Sequence, residues 1–192
     1  MPRASAAAAA QTAHEILRSA VRLLAERGFA GVSIDDVARD AGVTRGAVYH
    51  HYRNRLGLFT AVAGALQAEV ARTVVTAAEG AGDDAEAQLR AGCHAFLDAI
   101  TTASTARTLL VDAPSVIGWS TWRAQDAQNS AAQLRLALAE SGVAAGLVDA
   151  TTAQLSGAMN DAALWISQQP DPPAARESAH RVLDQLIDAV LS

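Results

Sequence analysis

Gly42-Val43-Thr44-Arg45-Gly46-Ala47-Val48-Tyr49-His50-His51-Tyr52-Arg53-Asn54-Arg55, with Leu56, Leu58 and Phe59 behind it, reads as a short helix entered from a turn and followed by a longer one. Thr44 is the N-cap of the short helix, which ends near His50 or His51, and Asn54 caps the next. Upstream, Ser33 caps another short helix with Asp36 in the capping-box position, and Ile34, Val37, Ala38 and Ala41 face inward. Gly42 breaks that helix. Two short helices joined by a few residues with glycine in the turn describe a helix-turn-helix. If the second of them lies in a major groove, positions 45, 46, 47 and 50 face the DNA, while Val43 and Val48 face the domain. Gly46 and Ala47 are small enough for close approach to base edges. Arg45 can grip a guanine O6/N7 pair with both arms of its guanidinium. Thr44 at the helix N-terminus suits a phosphate, as do the polar tips of Tyr49 and His51. Arg55 opens the next helix with a positive charge.

Outward from this stretch the apolar spacing is helical almost throughout, and strand signals are nearly absent. A first helix is expected from a Thr12/Glu15 capping box, with Ile16, Leu17, Ala20, Leu23 and Leu24 as its stripe and Gly28 as its stop. After Asn54 a long fourth helix runs to about Glu79. A fifth spans about 84–102. A sixth, 105–113, is stopped by Pro114, and a seventh spans about 115–140. The eighth is capped by Asp149 and ends before Pro170; the ninth is capped by Asp171 with Pro172 at its first position. The expected fold is therefore all-α with about nine helices: a flexible tail over 1–11, a three-helix helix-turn-helix unit over 12–54, and a helical body over 55–192.

Composition narrows the classes. The 192 residues are 51% hydrophobic and 18% charged, which excludes a disordered chain. The single Cys93 excludes a disulfide framework. The longest uncharged run, 56–68, is shorter than the roughly 20 residues a membrane span needs, and a soluble cytoplasmic protein is expected. The net charge of −5 hides an asymmetry: residues 1–55 carry eight arginines and five acids, a net of +3, whereas 56–192 carry seven and fifteen, a net of −8. A basic module on an acidic body suits a DNA-facing end attached to something that faces another partner.

The run Tyr49-His50-His51-Tyr52-Arg53-Asn54-Arg55 resembles the end of the recognition helix of TetR-family transcriptional regulators, Tyr-x-His-Phe followed by x-Asn/Ser-Lys, with Tyr52 in place of the usual Phe and Arg55 in place of the usual Lys. The resemblance covers about 12–60. The stretch from Leu110 to Trp122 also looks like one seen in such regulators. The resemblance implies an all-helical homodimer on a palindromic double-stranded operator, released when a small effector enters a pocket in the C-terminal domain. It gives Arg45, Gly46, Ala47 and His50 base-reading positions, and Ser33, Thr44, Tyr49, His51 and Arg55 phosphate positions. No cofactor is implied.

Adjacent helix residues diverge by about 100°, so neither His50-His51 nor Cys93-His94 forms a ready metal site or nucleophile–base pair. Cys93 reads as a small buried hydrophobe. Trp119, Trp122 and Trp165 are either core or the wall of a ligand cavity, with Asn160 and His94 as polar groups able to orient a ligand. Leu155, Met159, Ala162 and Ile166, and again Ala179, Leu183, Leu186 and Val190, recur at spacings of four, three and four, a packing seam. By the resemblance these two seams form a two-fold four-helix interface, although packing within the chain is the alternative. The expected function is a ligand-responsive repressor and not an enzyme. The alternatives are an effector-free or activating regulator and, on the strength of the Trp and His residues alone, an all-helical enzyme.

Overall fold

The computed structural model describes residues 2–192, with the side chains of 2–5, 103 and 104 outside that description. Among the described residues there is no strand. Helix α1 spans Pro2–Arg27, α2 Ile34–Asp40 and α3 Arg45–Tyr52; α4 is Arg55–Gly80 and α5 Ala85–Ile100. A short α6, Ala103–Ala106, leads into a π-helical turn, Arg107–Asp112, and α7, Ala113–Ile117. Then follow α8 Trp119–Ala127, α9 Ser130–Glu140, α10 Val148–Ser167 and α11 Pro172–Leu191.

The local capping chemistry is largely as expected. Ser33 and Asp36 form a complete capping box, and the Thr44, Asn54, Asp84 and Asp171 side chains each accept from a backbone N–H in the first turn of their helix. Five expectations change. Thr12 is not an N-cap. The alanine-rich run ahead of it continues the helix, the Thr12 hydroxyl donates to Ala8 O, and Glu15 accepts from Gln11. Residues 2–11, expected as a flexible tail, are thus the start of α1, and Met1 lies outside the described residues. Pro114 does not stop a helix. It sits in the first turn of α7 directly behind the π-helical turn. Proline lacks an N–H and its ring presses on the carbonyl four residues back; the wider turn absorbs both defects. The expected seventh helix is broken at Gly118, whose φ of +85° suits glycine, and again at Gln128-Asn129, leaving α7, α8 and α9. Asp149 does not cap α10: it lies inside the first turn, accepting from Arg135 at 2.7 Å, and Leu147 stands at the N-cap without a side-chain bond.

Helix α4 is the spine. By length and composition it would suffice to cross a membrane, which the uncharged-run criterion missed, with a mean hydropathy of 1.3. Its apolar faces are instead covered by α1, α5, α7 and α9. Leu58, Phe59, Val62 and Ala63 close the helix-turn-helix core with Ile16, Ala20, Leu24, Val37 and Val48. Val70 and Val74 continue into the body against Leu89, Cys93, Phe96 and Leu97 of α5. The corner between α3 and α4 is tight: a Cβ at Gly57 would stand 2.2 Å from Tyr52 O, so a residue without a side chain is required there. Tyr52 OH donates to Ala13 O at 2.7 Å, tying α3 to α1.

The seams on α10 and α11 take the second of their two readings. Leu155, Met159, Ile166 and Leu183 are buried within this chain, and Ala162, Ala179 and Val190 pack half-buried against the same core; only Leu186 of the set is exposed. The spacing is that of any core-facing helix stripe, so it marks the face turned to α5 and α9, not the outer one.

Between α5 and α11 lies a polar clasp. The His94 and His180 rings stack at 4.2 Å and 9°. His94 Nε2 is 2.9 Å from Asp184 Oδ1. Arg90 donates to Asp188 and Glu86, and Arg176 Nε is 3.3 Å from Asp98. His180 Nε2 lies 3.3 Å from the same Asp98 oxygen but lacks the angle of a hydrogen bond. Burial, then the neighbouring His94, hold the His180 pKa below its usual 6.5. The unfolded chain therefore takes up the proton first as pH falls, so this group's contribution to stability is present above about 6.5 and lost below it. In urea titrations across this range, His180→Phe, which keeps the stacking partner, should gain stability relative to the parent chain as pH falls from about 7 to about 5. A constant difference between the two would show that His180 is not buried in its neutral form.

Candidate functional site

The exposed face of the helix-turn-helix collects the expected residues. Thr44, Arg45, Gly46, Tyr49 and His50 are exposed on or just ahead of α3, Ala47 and His51 are half-buried, and Val48 is fully buried against the domain. Ser33 stands exposed at the N-terminus of α2, its hydroxyl shared with Asp36. Gly46 is informative because the fold does not require it. Its φ is not left-handed, and an added Cβ would meet only Thr44 Oγ1, at 3.7 Å. Glycine in a helix costs about 1 kcal/mol relative to alanine, and nothing inside the domain offsets that cost. Arg45 is already engaged in the free chain: Nη1 donates to both oxygens of Asp35 at 3.1 and 3.3 Å, and Nη2 donates to Tyr49 OH at 3.2 Å.

Arg55, exposed at the start of α4, is engaged within the chain. Its guanidinium lies 4.1 Å above the Phe29 ring and donates to Phe29 O. It fastens the α1–α2 loop to α4. Phe29 in turn packs on Phe59 at 4.6 Å, and its N–H donates to Asp112 Oδ2 at 3.4 Å. Gly28, at φ +68°, lies under Arg107: a Cβ there would come within 2.6 Å of the guanidinium. The π-helical turn therefore grips the helix-turn-helix unit through Arg107 and Asp112, at Gly28 and Phe29.

In the body two voids adjoin. The larger, about 210 Å³, lies between α4, α5 and α9, with an apolar wall including Val74, Ala78, Leu89, Phe96 and Leu134. Glu79 and Glu140 stand at its mouth, exposed. Cys93 also lines it, its thiol pushed up to about 12 by burial and secondarily by the charge of Asp184, so it remains an unreactive thiol. The smaller void, about 10 Å³, is lined by Gln67, Trp122, Asp126 and Asn160 with Leu109 and Leu110 of the π-helical turn. Gln67 Oε1, Trp122 Nε1 and Asn160 Nδ2 are buried there without a partner. Burial raises the pKa of Asp126 even though Arg123 donates to it at 2.7 Å. Phe96 and Ser130 line both voids.

Of the expected ligand residues, Trp122 and Asn160 meet at the inner void. Trp119 is 63% exposed, lying against Trp122 at 4.9 Å, and Trp165 is 45% exposed on the outside of α10; neither lines a void. His94 is held in the α5–α11 clasp. The outer chamber was missed because its signal is the smallness of Ala78, Gly92 and Ala137, which means space only once α4, α5 and α9 are known to face one another.

The family model described as bacterial regulatory proteins, tetR family, matches residues 16–62, and the tetracyclin repressor-like C-terminal domain matches 86–190. Over 62 residues the chain is 40% identical to the HTH-type transcriptional regulator SrpR of Pseudomonas putida, covering 32% of this chain and 29% of that protein. It is 39% identical over 62 residues to the HTH-type transcriptional repressor BepR of Brucella suis, covering 32% and 30%. The chain thus spans under a third of either relative's length. Among solved structures it is similar to a TetR-family transcriptional regulator from Pectobacterium atrosepticum, with a TM-score of 0.76, 29% identity and 96% of both chains covered. FadR from Bacillus subtilis in complex with stearoyl-CoA shares the fold at a TM-score of 0.70 and 16% identity, over 88% of this chain and 96% of that one.

Removing the Arg55 side chain should lower folding stability by about 0.5–1 kcal/mol, the usual size of an exposed cation–π contact. Urea denaturation of Arg55→Ala measures it. Unchanged stability would mean that Arg55 does not hold Phe29 in solution.

Proposed function

The chain belongs to the TetR family of DNA-binding transcriptional regulators, often repressors, and we propose that it represses from a palindromic operator as a homodimer and is released by a small-molecule effector. The observation that carries the DNA reading is Gly46: a helix-weakening residue at an open position is accounted for by a surface that must come close to the backbone. Arg45, Gly46, Ala47 and His50 face the bases; Ser33, Thr44, Tyr49 and His51 face phosphates. Binding replaces Asp35 with a guanine edge as the partner of Arg45. Residues up to 54 form the operator-binding unit and 55–192 the effector and dimer unit, with the first turns of α4 shared between their cores. Work on a bacterial operator places the protein in the cytoplasm.

The homodimer reading uses α10 and α11 but their outer faces. Val182, Leu186 and Trp165 are large apolar side chains at 54, 42 and 45% exposure, and Ala153, Gly157 and Ala158 beside them allow close helix approach. The effector reading rests on the π-helical turn. Leu109 and Leu110 wall the inner void, and Arg107 and Asp112 of the same turn hold Gly28 and Phe29. A ligand that displaces this wall moves the helix-turn-helix unit. It shifts the population only if it binds the DNA-incompetent form more tightly.

Operator affinity against salt, with a panel of base-substituted operators, tests the DNA reading. Arg45→Ala should weaken specific binding about tenfold or more per half-site and relax preference at one operator position. An unchanged base preference would reduce Arg45 to a phosphate clamp. Leu186→Asp places an unpaired charge on the outer face of α11 and should sediment as a monomer. A dimer that persists in this variant puts the interface elsewhere.

A further inference from the structure

The inner void gathers polar groups that ordinary cores do not leave alone. Gln67 is 5% exposed and Trp122 3%, yet Gln67 Oε1 and the Trp122 indole Nε1–H have no partner, nor has Asn160 Nδ2. Gln67 spends its own amide on a long 3.5 Å contact to Trp122 O. At about 10 Å³ the space is at the lower limit for one water, and Phe96 and Ser130 line both it and the apolar chamber of about 210 Å³. Buried polar groups are almost always satisfied, and one left unsatisfied calls for an explanation.

We propose that the two voids are one ligand site divided by Phe96, and that it takes an uncharged molecule with a short apolar body and a head group that both donates and accepts hydrogen bonds, such as a primary amide. The apolar body fills the outer chamber. The head group takes the place of the Phe96 ring between the voids, since about 10 Å³ alone holds no more than one water, accepts from Trp122 Nε1 and Asn160 Nδ2, and donates to Gln67 Oε1. Charge is excluded from both directions. No arginine lines either void, Glu79 and Glu140 stand at the mouth of the outer one, and the Arg123 nearest the inner one is already paired with Asp126, so a buried anion finds no free cation to neutralise it. An ammonium has only donors, and would leave Trp122 Nε1–H and Asn160 Nδ2 unpaired. Asp126 is already bonded to Arg123 and Ser156 and does not offer itself as a counter-ion. This assignment rests on the effector reading above and names its chemistry.

The test uses the full chain and three probes of equal length: octanamide, octanoate and octylammonium. Binding is followed by tryptophan fluorescence and by the rise in melting temperature. Octanamide should bind about tenfold or more tightly than either ion. Asn160→Leu, which replaces the unpaired amide by an apolar group of similar size, should fold normally and lose about tenfold in octanamide affinity. Ala78→Phe fills the outer chamber and should abolish binding. Octanoate or octylammonium binding as well as octanamide, no binding of any probe, or octanamide binding that ignores both substitutions overturns the proposal. Operator affinity is measured separately with octanamide bound. Binding without release would defeat the effector reading and leave the ligand class standing.

Discussion

The Phe29–Phe59 contact ties the loop after α1 to the first turns of α4, where the helix-turn-helix core closes. Phe59 is fully buried where α4 leaves the helix-turn-helix unit, and Phe29 meets it from the loop after α1 with ring centroids 4.6 Å apart. Arg55 covers Phe29 from one side, and Asp112 accepts its backbone N–H from the other. Offset aromatic packing of this kind adds about 0.5–1.5 kcal/mol to the area it buries. Gly28 is needed at the same place because the chain must turn under the Arg107 guanidinium, where a Cβ does not fit.

The body is built unevenly around α4. Toward α5 it is close-packed, with Leu89, Leu97 and Phe96 buried against Val70 and Val74. Toward α9 small residues leave the outer chamber, and beside it the inner polar groups go without partners. An unsatisfied buried polar atom costs about 1–3 kcal/mol. An apolar replacement at Gln67 or Asn160 would avoid that cost, so the arrangement is a poor solution for stability alone. The π-helical turn that walls this region is a second departure from regular structure, and such turns recur at functional positions.

Much of the fold was legible because its signals are local. Ser33 with Asp36, Thr44, Asn54 and Asp171 satisfy the free N–H groups of their own first turns, and that geometry is set within four residues. Thr12 carried the same signature and misled, because an alanine run can continue a helix past a capping residue. Pro114 misled because proline's defects can be absorbed by a π-helical turn that no sequence pattern announces. The stripe from Leu155 to Ile166 is a packing face, but a helix stripe does not say whether its partner lies in the same chain or in a second copy.

Sequence by itself determined the all-helical class, the helix-turn-helix and the side chains on its outer face. Each depends on periodicity, capping and the conformational limits of glycine over a few residues, and the Gly42 to Arg55 run carries these at high density. Only the tertiary structure decided that Arg55 lies on Phe29, that Asp35 holds Arg45, that His94 joins a clasp with His180 rather than a cavity, and that Trp122 and Asn160 meet while Trp119 and Trp165 turn outward. These are contacts between residues far apart in the chain. They follow from how helices of unequal side-chain volume settle against one another, and the empty space between small residues is a property of the packing, with no counterpart in any single segment.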